Sequence, residues 1–231
     1  KSDFLNMMAH ELRTPLNVII GNTQLLQDGY YGTVSEAIRK GLETSGKNAH
    51  SLVKLINEIL DLARLEARRV PLRTEPISLG EFMDELESFC SPLVGEKAVR
   101  LSFETEDSCL ELRSDGAKIK AILQNLIANA VKYTDQGEIR IVARMEAERD
   151  FISFSVRDTG IGIKSEDLQR VFEPFHMVEG LDRDKYPGSG LGLSLVQRLV
   201  QVLQGEIKVE SEPGKGSNFT VFLPRIHPES A

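Results

Sequence analysis

Apolar residues recur at alternating steps of three and four along the first seventy residues, which is the spacing of one face of an α-helix. The first run consists of Leu5, Ala9, Leu12, Leu16, Ile19, Thr23 and Leu26. The second run consists of Ile38, Leu42, Ser45, Ala49, Leu52, Ile56, Ile59 and Ala63. Gly29 and Gly32 separate the two runs, and Ser35 is a candidate N-cap for the second helix. The pattern predicts an antiparallel all-α helical hairpin, and because a lone hairpin cannot cover both apolar stripes, it also predicts a dimeric four-helix bundle.

From Glu75 onward the pattern changes to short alternations that are typical of strands, at VRLSF, CLELR, EIRIVARM and FISFSVRD. Helix-like stretches lie before, between and after them, at residues 80–94, 115–133 and 190–204. Strands interleaved with helices predict an α/β domain built in layers. Pro71 and Pro76 mark a linker before this domain. The predicted organisation is a helical hairpin at residues 1–70, a linker at 71–77 and an α/β two-layer sandwich at 78–226.

Composition and charge narrow the possible functions. The 231 residues are 41% hydrophobic and 27% charged, which is typical of a folded globular protein. The net charge of −7 lacks the basic footprint that nucleic-acid binding requires, and the acidic excess falls after residue 70. No run of 18 apolar residues and no signal peptide occurs, so we expect a soluble, cytoplasmic fragment, and its start inside a helical pattern suggests a missing upstream part. Cys90 and Cys109 have no metal-ligand spacing, which indicates buried thiols in a reducing compartment.

The stretch MMAHELRTPL combines a histidine with a proline inside the first predicted helix. At about 100° per residue, His10 lies roughly 150° from the centre of the apolar stripe and therefore faces solvent, with Thr14 and Asn17 nearby. Pro15 lacks an N–H, so the carbonyl of Glu11 loses its helical partner and a bend beside His10 is expected. Thr14 stands where a metalloprotease motif needs a second histidine, which excludes that motif and leaves an ordinary surface histidine or phosphoryl chemistry. Ordinary surface positions are predicted for His50, His176 and His227.

Three later motifs carry groups suited to a nucleotide. LQNLIANAVKY places four polar residues on one side of a helix, where amide oxygens suit Mg²⁺ and an ammonium suits phosphate; they are Asn125, Asn129, Lys132 and Tyr133. DTGIGI sets Asp158 at a strand end beside Gly160 and Gly162, where a backbone can approach a ligand. GSGLGL puts Gly188, Gly190 and Gly192 before a helix, whose N-terminus attracts anions. Taken singly, each motif is also compatible with a solvated helix face, a simple turn or a packed glycine turn.

The motifs together resemble one known family. FLNMMAHELRTPLNVIIGN resembles the H box of sensor histidine kinases, and INEILDLARLEARR resembles the end of the second helix in the HisKA-type dimerisation domain. The three later motifs resemble, in order and spacing, the N, G1 and G2 boxes of the GHKL (Bergerat-type) ATP-binding domain. FEPF at 172–175 resembles its F box, and EPGKGSNFTVFLP resembles its closing glycine strand. The resemblance covers about the whole chain.

The resemblance implies an ATP-dependent protein-histidine kinase of a two-component system. His10 would accept the phosphoryl group from ATP and pass it to an aspartate in the receiver domain of a response regulator. Glu11 is the candidate for orienting the imidazole or accepting its ring proton. Thr14 resembles the position that orients water in members that also dephosphorylate their regulator. A homodimer, an upstream sensor domain and a membrane-anchored full-length protein are the further expectations.

The resemblance also implies roles at the nucleotide. Asp158 would bind the adenine amino group beside Gly160 and Gly162. Asn125 and Asn129 would hold Mg²⁺ and phosphate, and Lys132 and Tyr133 would contact the nucleotide. The phosphates would lie against Gly188, Gly190, Leu191 and Gly192. Residues 174–189 would form a mobile lid. Two departures stand out, since Pro187 replaces a frequent glycine of the lid and Asn218 replaces a threonine common near the adenine.

Two other functions fit parts of the sequence. One is an ATPase clamp of the same superfamily, as in chaperones, gyrases or mismatch-repair proteins, and the hairpin with an exposed His10 argues against it. The other is a non-catalytic dimerisation scaffold, and the intact magnesium and glycine motifs argue against that.

Overall fold

A computed structural model describes residues 2–66, 71–108, 110–178, 185–186 and 188–227, without the side chains of 2–6, 8, 10, 64 and 66. The chain divides into two compact units, Lys1–Arg69 and Val70–Ala231. The helices are α1 Ser2–Gln27, α2 Glu36–Glu66, α3 Leu79–Cys90, α4 Gly116–Tyr133 and α5 Gly192–Val202, with a 3₁₀ turn at Ser91–Val94. The strands are β1 Glu75–Ser78, β2 Ala98–Thr105, β3 Glu111–Ser114, β4 Gln136–Glu146, β5 Phe151–Asp158, β6 Glu206–Glu212 and β7 Gly216–Pro224. The predicted fold class, a helical hairpin followed by an α/β sandwich, is confirmed, whereas the dimeric bundle stays a prediction.

The turn between α1 and α2 follows its sequence signals. Gly29 (φ 76°) and Gly32 (φ 109°) adopt a left-handed backbone conformation. This conformation often ends a helix, and glycine adopts it more readily than other residues. The hydroxyl of Ser35 accepts a hydrogen bond from the backbone N–H of Ile38 at 3.4 Å, which confirms the predicted N-cap.

The two helices of the hairpin bury only part of their apolar stripes. Their shared core consists of Ala9, Leu16, Ala49, Ile56 and Leu60, with Ile20 and Val53 packed against it. In the first run, Ala9, Leu16 and Thr23 are buried at seven-residue intervals, while the intervening Leu12 and Ile19 remain 46% and 48% exposed. A single hairpin therefore leaves part of each predicted stripe exposed, including Leu12 and Ile19 in the first and Ile38 and Leu52 in the second.

The second unit is built on a five-stranded sheet with the order β2-β4-β5-β7-β6. β2 and β4 are parallel, and the other neighbours are antiparallel. Helices α3, α4 and α5 pack on one face, where side chains of β4, β5 and β7 alternate into the core. The largest fully buried side chains include Phe154, Leu123, Leu126, Ile127, Ile139, Ile141 and Ile152.

Part of the segment predicted as a linker belongs to the second unit. Residues 75–77 lie in β1, which pairs antiparallel with β3 in a separate two-stranded sheet. Ile77 is 9% exposed, and the backbone N–H of Arg73 donates to the carboxylate of Asp115 at 3.0 Å. Pro76 was a misleading linker signal, because a two-stranded sheet has only edge strands, and an edge strand tolerates a residue without an N–H.

The predicted surface position is wrong for His227 and only partly right for His176. His227 is fully buried, because the chain after β7 runs beside β3 and the His227 N–H donates to the carbonyl of Arg113 at 2.9 Å. The His176 side chain is mostly covered, with Nε2 at 3.6 Å from Asp167 Oδ1, while His50 is exposed. Burial raises the pKa of the Cys90 thiol to about 11, in keeping with a buried thiol. Cys109 lies outside the described residues.

Candidate functional site

Helix α4 presents the four predicted polar residues beside its buried apolar side. Asn125, Asn129, Lys132 and Tyr133 are all partly exposed, whereas the side chains packed on the sheet are nearly inaccessible. The Asn125 amide nitrogen donates to the carbonyl of Ala121 at 2.9 Å, which turns that nitrogen back to the helix and leaves Oδ1 as an acceptor. The face therefore offers amide oxygens and one ammonium to a ligand.

Both ends of α4 are held by side chains. At the N-terminus, the carboxylate of Asp115 accepts from the backbone N–H of Lys118 at 3.1 Å. At the C-terminus, Nζ of Lys97 donates to the carbonyls of Val131 at 2.6 Å and Thr134 at 3.0 Å. These contacts position α4 as a rigid support for its polar face.

Asp158 lies at the end of β5 and points to the helix side of the sheet, in the same alternation as Phe154 and Val156. Its side chain is buried, with 6% of the residue exposed. One carboxylate oxygen, Oδ1, accepts from the backbone N–H groups of Gly160 at 2.8 Å and Ser217 at 3.3 Å. Burial raises the pKa of Asp158, although these hydrogen bonds act in the opposite direction. Among the described residues no hydrogen bond reaches Oδ2, so this oxygen can accept from a ligand.

The glycines after Asp158 allow backbone segments to pass each other at close range. A Cβ on Gly160 would collide with the carbonyl oxygen of Tyr133 and lie 2.9 Å from Asp158 Oδ1. A Cβ on Gly162 would collide with the carbonyl of Glu212, at a left-handed φ of 68°. The two predicted glycines are thus required by packing around the carboxylate.

The glycine loop lies against the polar face of α4. A Cβ on Gly188 would lie 2.7 Å from Nζ of Lys132, and one on Gly192 would lie 3.1 Å from Oδ1 of Asn125. Gly190 has a left-handed φ of 72°, and its carbonyl accepts from the N–H of Phe175 at 3.0 Å. The structure therefore brings the two separate motifs into one place, at the N-terminus of α5, where free N–H groups attract phosphate.

Leu191 takes a different position from its glycine neighbours. Its residue is 1% exposed, and its carbonyl accepts from the hydroxyl of Ser194 at 2.8 Å. Its backbone N–H donates to the hydroxyl oxygen of Ser189 at 3.2 Å, so Leu191 shapes the loop through its buried side chain and its backbone bonds.

The end of the predicted lid packs against Tyr133 and Asp135. Asp135 and the lid residue Tyr186 are not among the predicted site residues. The ring of Tyr186 lies 5.4 Å from that of Tyr133, and its hydroxyl donates to Asp135 Oδ2 at 3.2 Å. Nζ of Lys185 pairs with the same oxygen at 2.8 Å and lowers the pKa of Asp135. No periodic signal marks Asp135 or Tyr186, since one follows a helix end and the other lies in an irregular segment. Pro187 and residues 179–184 lie outside the described residues.

Asn218, which replaces a threonine common near the adenine, lies on the face of the sheet opposite Asp158. Ser217 faces Asp158, while Asn218 points to the other side of the sheet and accepts from the hydroxyl of Ser155 at 2.7 Å. Alternation along β7 could have shown this, because Phe219 is an evident core residue and Ser217 shares its face.

In the first unit, α1 continues without interruption through Pro15. Glu11 and Thr14 are exposed on this helix. The side chain of His10 lies outside the described residues, so its predicted orientation stays a prediction, as does the bend at Pro15.

Metal and membrane features are limited in the part of the chain that the structure describes. No group of three or more His, Cys, Asp or Glu side chains there could hold a metal ion. A cation would instead use the amide oxygens of α4 and the phosphates of a nucleotide, which suits Mg²⁺. None of the helices in these same ranges is both long and apolar enough to cross a bilayer.

Two family models match the chain. Residues 1–68 match the His Kinase A (phospho-acceptor) domain, and residues 114–227 match the histidine kinase-, DNA gyrase B- and HSP90-like ATPase. The chain is 36% identical over 229 residues to the autoinducer 2 sensor kinase/phosphatase LuxQ of Vibrio parahaemolyticus, covering 97% of the chain and 26% of LuxQ. It is 38% identical over 230 residues to the sensor histidine kinase RcsC of Escherichia coli, with coverage of 97% and 23%. The chain thus spans about a quarter of the length of these relatives.

A solved structure, full-length ShkA in complex with AMPPNP, has 28% sequence identity and a TM-score of 0.81, covering 97% of this chain and 46% of ShkA. The histidine kinase AdeS of Acinetobacter baumannii, at 23% identity and a TM-score of 0.65, shares the fold. The phospho-acceptor model and the ATPase model match the chain one after the other, and the N, G1 and G2 motifs assemble around Asp158 and α4. The chain therefore belongs to the sensor histidine kinases and contains their catalytic core.

Proposed function

We propose that this chain is an ATP-dependent protein-histidine kinase that phosphorylates itself on His10. The observation that carries the proposal is the assembly, in one unit, of the Asp158 carboxylate, the polar face of α4 and the loop at 188–192. The same chain carries the H-box helix, which supplies the histidine that an ATPase clamp lacks.

Each part of the nucleotide has a matching group. Oδ2 of Asp158 accepts a hydrogen bond from the adenine amino group, since a carboxylate only accepts. The N–H groups at the start of α5 and the ammonium of Lys132 bind the phosphates. Asn125 and Asn129 would hold Mg²⁺ through their amide oxygens, and the bound ion would neutralise phosphate charge.

The transfer has two steps. A ring nitrogen of neutral His10 attacks the γ-phosphorus, an N–P bond forms, and the bond to the bridging oxygen breaks as ADP leaves. Glu11 orients the imidazole or accepts its ring proton. An aspartate carboxylate of a receiver domain then attacks the phosphorus, and the N–P bond breaks.

The partners follow from the same proposal. The partly covered stripes of the hairpin support a homodimer, in which a second copy completes a four-helix bundle. A response regulator receives the phosphoryl group, and an upstream sensor domain controls the kinase. We assign this part of the protein to the cytoplasm and the full-length protein to the membrane.

Replacing the acceptor tests the kinase proposal most directly. His10→Gln should abolish incorporation of label from γ-labelled ATP, because the amide cannot form the N–P bond. ADP affinity, measured by calorimetry, should stay within about twofold, since the groups proposed to bind the nucleotide all belong to the unit Val70–Ala231. The label in the unmutated protein should be acid-labile and base-stable.

His50→Gln is the matched control, because His50 is an exposed histidine on α2. It should keep full labelling. Undiminished labelling of His10→Gln, or loss in both variants alike, would rule out His10 as the acceptor.

Thr14 supplies a separate test of bifunctionality, which the kinase/phosphatase name of LuxQ supports. Thr14 lies one turn beyond His10 on an exposed helix face, where its hydroxyl can position water. Thr14→Ala should reduce dephosphorylation of the regulator about tenfold or more, while self-phosphorylation changes less than threefold. Both rates are measured on one preparation with ADP present. Equal losses would mean that Thr14 acts only through helix geometry.

A further inference from the structure

The face of the five-stranded sheet opposite helices α3, α4 and α5 carries a groove that the kinase reaction does not use. Its volume is about 300 Å³, and it crosses strands β4, β5 and β7. Three arginines and four neutral polar side chains contribute to its lining, namely Arg140, Arg144, Arg157, Ser153, Ser155, Asn218 and Thr220.

The charge of this groove opposes that of the chain. The net charge is −7, and residues 71–231 hold the acidic excess. The lining nevertheless combines three arginines with one carboxylate, Glu146, which accepts from the hydroxyl of Ser153 at 2.7 Å. A second carboxylate, Glu104, pairs with Arg140 beside the groove, so one positive charge remains in excess. A basic groove in an acidic domain indicates an anionic ligand.

Strand register places two of the arginines directly opposite each other. Arg140 on β4 pairs with Arg157 on β5, and like charges in such a pair are unfavourable. Glu104 relieves one of them, through bonds to Arg140 Nε at 2.7 Å and Nη2 at 2.6 Å. No carboxylate among the described residues pairs with Arg157. An anion between the two guanidinium groups would remove the remaining repulsion.

Neutral donors lie beside this pair. Asn218 is opposite Arg157 in the register of β5 and β7, and Thr220 is opposite Ser155. The Ser155 hydroxyl donates to Asn218 Oδ1 at 2.7 Å, so the Asn218 amide nitrogen is directed elsewhere; its bond to Thr220 is long, at 3.5 Å. Amide and hydroxyl donors next to planar guanidinium groups suit the several oxygens of a phosphate.

We propose that this groove binds a small phosphate-bearing molecule at a site separate from the ATP pocket. The two sites are on opposite faces of the sheet, because Asp158 and Arg157 are consecutive residues of one strand. The volume is at the lower end of the range for ligand pockets, which favours a small ligand over a polypeptide.

Titration followed by backbone amide NMR tests the site in the intact chain. Inorganic phosphate and glycerol phosphate are added separately at constant ionic strength. We expect saturable shifts of the Ser155, Asn218 and Thr220 amides, independent of shifts along α4 and residues 188–192. Tighter binding of glycerol phosphate identifies a phosphate ester as the ligand, and equal binding identifies free phosphate.

Paired arginine variants make the test specific. Arg157→Gln should weaken binding at the groove at least tenfold while leaving ADP affinity unchanged, and Arg198→Gln, an exposed arginine on α5, should bind as the unmutated chain does. Shifts that never saturate, or that respond equally in both variants, would show an ordinary solvated surface and overturn the proposal. Binding of an acidic peptide at these residues without any response to phosphate would overturn it as well. The NMR titration does not depend on labelling at His10. Failure of the kinase proposal would therefore not change the result for phosphate binding at the groove.

Discussion

The hairpin and the α/β unit treat their apolar residues in opposite ways. In the hairpin, Leu12, Ile19 and Leu52 lie within the helical stripes and are still 44% to 48% exposed. In the α/β unit, side chains as large as Phe154 and Ile141 are completely buried between helices and sheet. The α/β unit has a closed core, whereas the hairpin exposes part of its apolar stripes.

This difference separates stability from assembly. Burial of apolar area stabilises the α/β unit within one chain. The same type of side chain on the hairpin would contribute fully only in the proposed homodimer, where a second copy covers it. Substitutions of equal chemistry should therefore be detected by different measurements in the two units.

The largest effect is expected in the closed core. Phe154→Ala should lower the free energy of unfolding of the α/β unit by about 3–5 kcal/mol, because it empties a buried site that also contacts Phe82 at a ring distance of 6.3 Å. Urea unfolding followed by NMR signals of each unit measures this loss. Phe89→Ala, at a residue 54% exposed on α3, should cost less than about 1 kcal/mol. Similar losses in both variants would contradict a closed core.

A second substitution tests the open stripe. Ile19→Lys should weaken dimerisation at least 100-fold, about 2.7 kcal/mol, because a charge would be buried in the interface between copies. Sedimentation equilibrium measures the dissociation constant. Asn17→Lys adds the same charge at an exposed polar position on the opposite side of α1 and should leave the dimer intact. Ile19→Lys protein that dimerises normally would place the interface elsewhere.

The smallest of the three effects concerns the buried carboxylate of Asp158. We expect it to favour nucleotide binding but to lower the stability of the unit when no nucleotide is bound. Asp158→Asn should weaken ADP binding about tenfold, or 1.4 kcal/mol, since an amide is a poorer acceptor at Oδ2 and can present a donor there. Without nucleotide, the same variant should melt at a higher temperature at pH 7. Calorimetric titration and thermal unfolding measure the two effects.

The sign follows from the raised pKa of Asp158. Between the ordinary value of 3.8 and the raised value, the folded unit binds more protons than the unfolded chain, so stability falls as pH rises through this window. Above it, the ionised carboxylate destabilises the empty unit. The melting difference between Asp158→Asn and the unmutated protein should therefore shrink at acid pH. A variant that is less stable at pH 7 would refute this account.

Local patterns predict most of the fold, whereas the roles of the site residues stay predictions. The steps of three and four predict both helices of the hairpin, Ser35 predicts its cap, and strand alternation predicts β4 and β5. The motifs at Asn125, Asp158 and Gly188 are continuous in sequence, so spacing alone identifies their groups. Spacing does not predict that these motifs come together, because that depends on the order of the strands in the sheet.

The failures have the same physical origin. Pro76 reads as a linker residue until β3, thirty-five residues away, is known to pair with its strand. His227 reads as a surface histidine because its cover comes from β3, distant in sequence. Asp135 and Tyr186 are brought together by packing of a segment with no period of its own. Each error concerns contacts between residues far apart along the chain.

The crossing of backbone at Gly160, Gly162 and Gly216 limits how this part of the gene can vary. At each of these glycines an added Cβ would collide with a carbonyl oxygen of another segment, respectively that of Tyr133, Glu212 and Asp158. A library randomised at these codons should return glycine alone after selection for function, whereas Gly21 and Gly41, with nothing within 4 Å, should return many residues. Glycine in these motifs is thus required partly by the close approach of the end of α4 to the ends of neighbouring strands, independent of any contact with ATP.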